Sequence, residues 1–158
     1  MELEFDVKID AAALYDYMLR HTFNSPAGIL GSTVGAMGIV AFFMNGAAIY
    51  LIMGAVILGY LPVSLWLRAK RQAQNPVFKK PLHYRMTEEG VFVSQGEEEQ
   101  FQKWEDMFKA VSTPRSLILY TSRINASVFP RKDLGDLQTD VIAMISTHMP
   151  PAKVQIKA

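Results

Sequence analysis

The dominant pattern in the chain is one long apolar stretch. Residues 22–67 form a run of 46 positions without an Asp, Glu, Lys, Arg or His side chain, whereas a soluble domain would carry a charge at roughly a quarter of them. Asn45-Gly46, a dipeptide typical of tight turns, divides the run near its middle. Since about 20 apolar residues cross a hydrocarbon core about 30 Å thick, the pattern predicts a transmembrane helical hairpin with spans over residues 26–44 and 47–67.

Shorter patterns precede this run. Residues 1–9 alternate between apolar and charged side chains, which predicts a half-buried strand. Asp10 has the chemistry of an N-cap, so a short helix is predicted over residues 11–21. Ser25 followed by Pro26 is typical of a helix start, and the first span is predicted to begin there.

Alternation returns after Pro81 and predicts an antiparallel meander of short strands. The predicted strands are residues 82–86, 91–94, 99–104, 109–112, 117–121 and 126–129. Residues 104–108 are predicted as one helical turn at a sheet corner. An apolar stripe then predicts an amphipathic helix with Asp133 as its N-cap, ended by Pro150-Pro151. The remaining residues, 151–158, are predicted to be a loose tail.

These patterns predict an α+β membrane protein, with a two-helix transmembrane hairpin and an antiparallel β domain covered by a C-terminal helix. The predicted parts are an N-terminal strand and helix (1–25), the hairpin with a basic extension (26–74), the β domain (76–150) and the tail (151–158). If the first strand pairs with the later sheet, it covers an exposed sheet edge. The hairpin would then be an insertion into one domain.

Charge is distributed unevenly along the chain, although the net charge is only +1. Residues 68–80 carry five basic side chains and no acidic one: Arg68, Lys70, Arg71, Lys79 and Lys80. The turn at Asn45-Gly46 carries none, so the positive-inside rule predicts a two-span protein of the cell membrane with both termini in the cytoplasm. The basic cluster either only sets this topology or also contacts anionic lipid headgroups, at ~1 kcal/mol per residue. There is no broad basic field that would indicate nucleic-acid binding.

The sequence offers no constellation for catalysis, metal binding or a cofactor. It has no cysteine, which excludes disulfides and thiol chemistry. The three histidines, His21, His83 and His148, belong to different predicted elements, and no phosphate-binding glycine loop or HExxH helix is present. We therefore predict that the protein is not an enzyme.

Small residues recur at four-residue spacing in both spans, as Ala27, Gly31 and Gly35 in the first and Ala55 and Gly59 in the second. In lipid, close backbone approach at small residues supplies much of the packing between helices. These residues therefore hold the two helices of the hairpin together or form the interface of a homo-oligomer.

Several segments resemble the YcxB-like bacterial membrane proteins. The resemblance rests on the hairpin preceded by a strand and helix, and on residues 84–90, 104–106, 117–120 and 129–134. It implies a cytoplasmic domain similar to a pleckstrin-homology (PH) fold, a bent antiparallel sheet capped by a C-terminal helix. It implies no activity, so no functional residue is transferred.

Trp104 and the segment Pro130-Arg131-Lys132 are predicted to define the fold of this domain or to mediate its interactions. The alternative for Trp104 is a core residue at the sheet corner. The alternative for Arg131 and Lys132 is that they are solvated residues at the start of the C-terminal helix.

The sequence favours a non-catalytic protein of the lipid bilayer whose PH-like module binds an unknown protein partner or supports assembly. The alternative is a sensor of anionic lipids at the cytoplasmic surface. Phosphoinositide-type PH domains bind through basic loops between their first strands. The corresponding segments here, residues 87–90 and 95–99, are acidic, which leaves only the basic cluster at residues 68–80 for lipid contact.

Overall fold

The computed structural model describes residues 2–156. Within this range the chain forms eight strands and five α-helices, joined by short loops and four 3₁₀ turns. In chain order they are β1 Leu3–Val7, α1 Ala11–Phe23, α2 Pro26–Asn45, α3 Ala48–Ala73, β2 Leu82–Met86, β3 Gly90–Gln95, β4 Glu98–Lys103, β5 Lys109–Ser112, β6 Ser116–Tyr120, β7 Ala126–Pro130, α4 Arg131–Leu134, α5 Gln138–His148 and β8 Val154–Gln155.

The first sheet has the strand order β1-β2-β3-β4, with every neighbouring pair antiparallel. Its β1–β2 pairing joins the two parts of the chain that flank the long helices, with Phe5 opposite Tyr84. The pairing that the sequence analysis raised as a hypothesis is therefore present. Helices α2 and α3 are inserted between two strands that are neighbours in one sheet.

The second sheet has the order β7-β6-β5-β8, in which β8 runs parallel to β5 and the other pairs are antiparallel. The prediction of a loose tail over residues 151–158 is wrong for Val154–Gln155, which form β8 beside Ala110 and Val111. Two residues are too short a stretch to show a strand period, and only the open edge of β5 provides their partners. Residues 157 and 158 of that tail lie outside the described part of the chain.

Side chains from both sheets, α1 and α5 form one hydrophobic core. At its centre the ring of Phe129 packs edge-on against the rings of Phe5 and Tyr84, with centroids 5.5 and 4.8 Å away. Val141 and Ile145 of α5 are almost fully buried in the same core. The amino-terminal strand and the C-terminal helix thus share a single hydrophobic interior.

The C-terminal helix begins differently from the prediction. Asp133 is not an N-cap, because it lies inside the short helix α4, and its carboxylate accepts a hydrogen bond from the Lys8 N–H at 3.0 Å. Gly135 then adopts a left-handed φ of 51°, which interrupts the helix before α5 starts at Gln138. Glycine takes this conformation without steric cost.

The structure confirms the predicted starts of α1 and α2 and the predicted turn between the two long helices. Asp10 caps α1 by accepting from the Ala13 N–H at 2.8 Å, and Ser25 caps α2 by accepting from the Gly28 N–H at 3.1 Å. Gly46 ends α2 with a φ of 71°. At 20 and 26 residues, α2 and α3 are long and apolar enough to cross a membrane. Their large apolar side chains face outward, as at Phe43, which is 79% exposed.

Helix α3 extends beyond its apolar part and packs against α1. Its Ala69 is fully buried and belongs to the core of the β domain. The long helices and the domain are therefore joined by packed helices as well as by the chain itself.

Candidate functional site

Residues 129–134, one of the segments on which the family resemblance rests, form hydrogen bonds and an ion pair with distant parts of the chain. The Arg131 N–H donates to the Arg115 carbonyl at 2.8 Å, and Arg131 Nε donates to the Thr113 carbonyl at 3.2 Å. Lys132 Nζ contacts Asp10 Oδ2 at 2.6 Å. Together with the contact between Asp133 and Lys8, these bonds tie the β1–α1 segment to the β5–β6 turn. Arg131 and Lys132 are therefore not only solvated residues at the start of a helix, because they also bond to other segments of the chain.

A cavity of about 350 Å³ opens where these segments meet. Its walls come from the first turn of α1, the β5–β6 turn and the β7–α4 junction: Asp10, Ala12, Ala13, Pro114, Arg115, Ser116, Pro130, Arg131 and Lys132. We call it the Arg131 cavity. Three cationic side chains and one carboxylate share its walls with two prolines and two alanines, so charged groups converge on a largely apolar surface.

The carboxylate of the Arg131 cavity is held ionised by its neighbours. Burial alone would raise the pKa of Asp10, but the hydrogen bonds from Lys132 and the Ala13 N–H outweigh it, and the pKa lies below its usual value. The same hydrogen bond raises the pKa of Lys132. Asp10 thus neutralises one cation of the cavity, and Arg115, an exposed residue of the wall, adds a further positive charge.

Ser116 places a buried polar group in the cavity wall. The residue is 1% exposed, and its hydroxyl has no hydrogen-bond partner among residues 2–156. Its backbone, in contrast, is bonded to Thr113, whose N–H donates to the Ser116 carbonyl at 2.8 Å. A buried hydroxyl without a partner costs about 1–3 kcal/mol, so Ser116 is a locally unfavourable residue behind the cavity wall.

The link between Asp10 and Lys132 gives a prediction for stability. We expect Asp10→Ala to lower the free energy of unfolding of the full chain in detergent by about 1 kcal/mol at neutral pH, because the helix cap and the ion pair are both lost. A carboxylate with a lowered folded-state pKa stabilises the fold above its unfolded pKa, and this contribution disappears as the pH falls through the folded value. The difference from wild type, measured by urea unfolding, should therefore shrink in acid.

The matched control is Asp136→Ala, which removes an exposed carboxylate near the same helices. Its effect should stay within about 0.5 kcal/mol at every pH. An Asp10→Ala difference that is the same in acid and at neutral pH would show that the carboxylate charge does not contribute.

Trp104 lies at the sheet corner, in the 3₁₀ turn Trp104–Asp106 between β4 and β5. It is 4% exposed, its Nε1–H donates to the Thr87 carbonyl at 2.8 Å, and its ring stacks on His148 with centroids 5.4 Å apart. These contacts agree with the core-residue interpretation, since the side chain connects the β2–β3 turn to the end of α5.

The predicted surface cations are exposed and do not converge on one site. Arg68, Lys70 and Arg71 lie on the last turns of α3, and Lys79 and Lys80 follow the 3₁₀ turn Pro76–Phe78. The ammonium of Lys70 lies 4.3 Å from the centroid of the Trp66 ring. The histidines are likewise separate, and no group of three or more metal-ligating side chains is found within residues 2–156.

The small residues of the two long helices divide into two groups. Gly31 and Gly35 face α3, and a Cβ added at Gly35 would lie 2.7 Å from Leu58 Cγ. Ala27, Ala55 and Gly59 are exposed, and a Cβ at Gly59 would meet nothing within 4 Å. Gly59 therefore makes no close contact with α2, and the alternative of a homo-oligomer interface through this residue stays a prediction.

The close approach of the two long helices also involves two glycines that the spacing did not single out. A Cβ at Gly54 would lie 2.7 Å from the Gly35 carbonyl oxygen, and one at Gly38 would lie 3.1 Å from Gly54 Cα. The sequence contained Gly38 and Gly54, but nothing in their spacing identified the helix face on which they lie.

Sequence reasoning also missed the other walls of the Arg131 cavity. Arg115 and Ser116 lie between the predicted strands 109–112 and 117–121, and Asp10 is predicted only as a helix cap. The available signal was the Pro114-Arg115 pair inside a tight turn between two buried strands. That signal is common in surface loops, so it did not distinguish a cavity wall from an ordinary turn.

Comparison with known proteins gives one family match. The model of the YcxB-like protein family matches residues 87–143, a segment that includes Trp104 and Pro130-Arg131-Lys132 and ends within α5. The resemblance inferred from the sequence is confirmed for this segment. No curated protein and no solved structure gives a significant match.

Proposed function

We propose that this chain, with the YcxB-like segment at residues 87–143, is a non-catalytic two-span membrane protein whose α+β domain binds another protein. The outward-facing apolar side chains of α2 and α3 support insertion into a lipid bilayer, because a soluble protein rarely exposes large contiguous apolar patches. The cations at Arg68, Lys70 and Arg71 support a cytoplasmic location for both termini in the cell membrane.

The domain itself is proposed to be PH-like. Two supports are its pair of four-stranded, mainly antiparallel sheets and the C-terminal helix α5 packed into the core. In this proposal the hairpin α2–α3 is an insertion between the first two strands of the fold. Such an insertion holds the domain against the cytoplasmic surface through two helices instead of one linker.

The observation that carries the protein-binding proposal is the Arg131 cavity. Its volume of about 350 Å³ lies in the range of natural ligand pockets, and its walls combine apolar surface with the guanidinium group of the exposed residue Arg115. Arginine binds a carboxylate through two parallel N–H donors. The cavity is therefore suited to an acidic side chain flanked by apolar residues, as in an exposed segment of a partner protein.

The location of the cavity agrees with such a role. It lies at the amino end of α1, whereas the carboxyl end of α1 leads into α2. A 13-residue helix is about 20 Å long, so the cavity is separated from the start of the first span by the length of α1. A partner in the cytoplasm could reach it without contacting the bilayer.

Photo-crosslinking in intact membranes tests this proposal. A photoreactive amino acid replaces Pro114, which is exposed at the cavity rim, in the full chain. We expect one dominant adduct with a distinct protein, and we expect it to be lost on Arg115→Glu, because the reversed charge repels an acidic segment.

Two controls make the crosslinking decisive. The same photoreactive residue at Thr139, exposed on α5, should not give that adduct. Asp136→Lys, which changes an exposed charge outside the cavity, should leave the Pro114 adduct intact. An adduct that forms equally from Thr139, or that survives Arg115→Glu, would contradict the proposal.

The alternative function, an anionic-lipid sensor, was based on Arg68, Lys70, Arg71, Lys79 and Lys80. Their exposure is compatible with contact to a charged membrane surface, but they form no cleft that would select a headgroup. In contrast, Arg20, Lys109 and Arg123 line a cleft of the folded domain.

A further inference from the structure

A second cleft, of about 330 Å³, lies where α1 joins α2. Its lining includes three cationic side chains, Arg20, Lys109 and Arg123, together with Asn24, Pro26 and Gln155. We call it the junction cleft. Its cations come from the last turns of α1, from the first residue of β5 and from the β6–β7 turn, so only the folded domain brings them together.

Among residues 2–156, the positive charge of the junction cleft is not neutralised by an acidic side chain. Its lining contains no Asp or Glu. Within residues 2–156, Arg20, Lys109 and Arg123 also form no ion pair with a carboxylate. The Arg131 cavity differs in this respect, because Asp10 pairs there with Lys132 at 2.6 Å. Unpaired cations around a concave surface raise the local concentration of anions.

The scaffold behind these cations is ordered by aromatic contacts. The Tyr120 side chain is 3% exposed, the His21 ring lies 6.4 Å from its ring by centroids, and Lys109 Nζ lies 4.9 Å from its centroid. The turn that carries Arg123 is held by the Ser122 hydroxyl, which accepts from the Asn125 N–H at 3.0 Å. Lys109 is therefore positioned by the buried Tyr120 ring, and Arg123 is carried by a hydrogen-bonded turn.

The position of the cleft relative to α2 indicates its ligand. Ser25 and Pro26, the cap and first residue of α2, are part of the lining. A 20-residue helix spans about 30 Å, the thickness of a hydrocarbon core. If α2 crosses the bilayer, its first residues lie at the boundary of that core, at the level of the lipid phosphates.

We infer that the junction cleft binds the phosphate of an anionic glycerophospholipid headgroup, with Arg20, Lys109 and Arg123 as its cationic ligands. The inference rests on the membrane insertion proposed above, and it is independent of the Arg131 cavity. It assigns lipid contact to a defined cleft of the folded domain and not to the exposed cations that follow α3. The lipid would link the domain to the bilayer at the point where the chain enters it.

Lipid binding is measured by native mass spectrometry of the full chain in detergent. The probes are short-chain phosphatidylglycerol, short-chain phosphatidylcholine and soluble glycerol phosphate. We expect retention of phosphatidylglycerol over phosphatidylcholine, and a loss of roughly 100-fold in affinity when Arg20, Lys109 and Arg123 are all replaced by alanine. The single variant Arg123→Ala, on an exposed turn, should lose roughly fivefold and keeps the test valid if the triple variant does not fold.

The matched control removes the same number of charges from the other flank, as Arg68→Ala, Lys70→Ala and Arg71→Ala together. This variant should retain phosphatidylglycerol within about twofold, since its cations are exposed and do not line the cleft. Equal losses in the two triple variants would overturn the inference in favour of general surface attraction. Unchanged binding in Arg123→Ala and in the cleft triple variant would overturn it as well.

Two further results separate the sources of the phosphate and the underlying proposals. Displacement of the lipid by glycerol phosphate at equal concentration would show a site for a soluble phosphate compound, and would overturn the lipid assignment. Alkaline extraction of native membranes tests insertion on its own. A chain released by alkali would refute the two-span proposal, whereas loss of lipid selectivity in a chain that stays in the membrane refutes only the junction cleft.

Discussion

Replacing Phe5 with alanine is expected to lower the free energy of unfolding of the β domain by about 3–5 kcal/mol. Phe5 is 6% exposed in β1, its ring stacks on Tyr84 at 5.8 Å and it meets the edge of Phe129 at 5.5 Å. The variant would leave a cavity at the centre of the core. Urea unfolding of the full chain in detergent, followed by Trp104 fluorescence in a Trp66→Phe background, measures the loss.

Glu4→Ala is the matched control, because Glu4 belongs to the same strand and faces outward. Its effect should stay within about 0.5 kcal/mol. Deletion of residues 2–9 should make the domain sensitive to protease, since β2 would lose its partner strand. A Phe5→Ala protein as stable as Glu4→Ala would contradict the pairing of β1 with β2 and the insertion of the hairpin into one domain.

Replacing Gly54 with leucine is expected to separate α2 from α3 locally and to cost about 1–3 kcal/mol or more. A Cβ at this position lies 2.7 Å from the Gly35 carbonyl oxygen and 3.0 Å from the Ile39 N atom. Both are backbone atoms, so a rotamer change cannot relieve the clash. Thermal unfolding of the full chain in detergent measures the cost.

Gly59→Leu is the control on the same helix, because the added side chain would enter open space. Leucine has the better helix propensity, by roughly 0.5–1 kcal/mol, so this variant should be neutral or slightly more stable. If Gly59→Leu destabilises the chain as much as Gly54→Leu, the exposed line of Ala55 and Gly59 also packs, and a homo-oligomer through that face would be the remaining explanation.

The two sites differ in how far the sequence could have found them. The Arg131 cavity contains the Pro130-Arg131-Lys132 step that the sequence singled out, but its other walls come from residues 10, 12 and 13 and residues 114–116. The junction cleft contains none of the predicted surface cations. Arg20, Lys109 and Arg123 are single basic residues in three different elements, and no local pattern distinguishes them from ordinary surface charges.

The sequence by itself determined the local features of this protein. The apolar run predicted both long helices, Asp10 and Ser25 predicted where helices start, and alternation predicted β2 to β7 within a residue or two. These features depend on interactions between residues close in the chain, such as a capping oxygen and an N–H group three residues later. A single sequence contains that information directly.

Only the tertiary structure decided which distant surfaces meet. It paired β1 with β2 across the whole hairpin, added β8 to the free edge of β5, and brought the cations of each cleft together. It also chose the Gly35, Gly38 and Gly54 face for the contact between α2 and α3. Helical periodicity shows that small residues share a face, but the partner's side chains and backbone decide which face is buried, and those belong to another part of the chain.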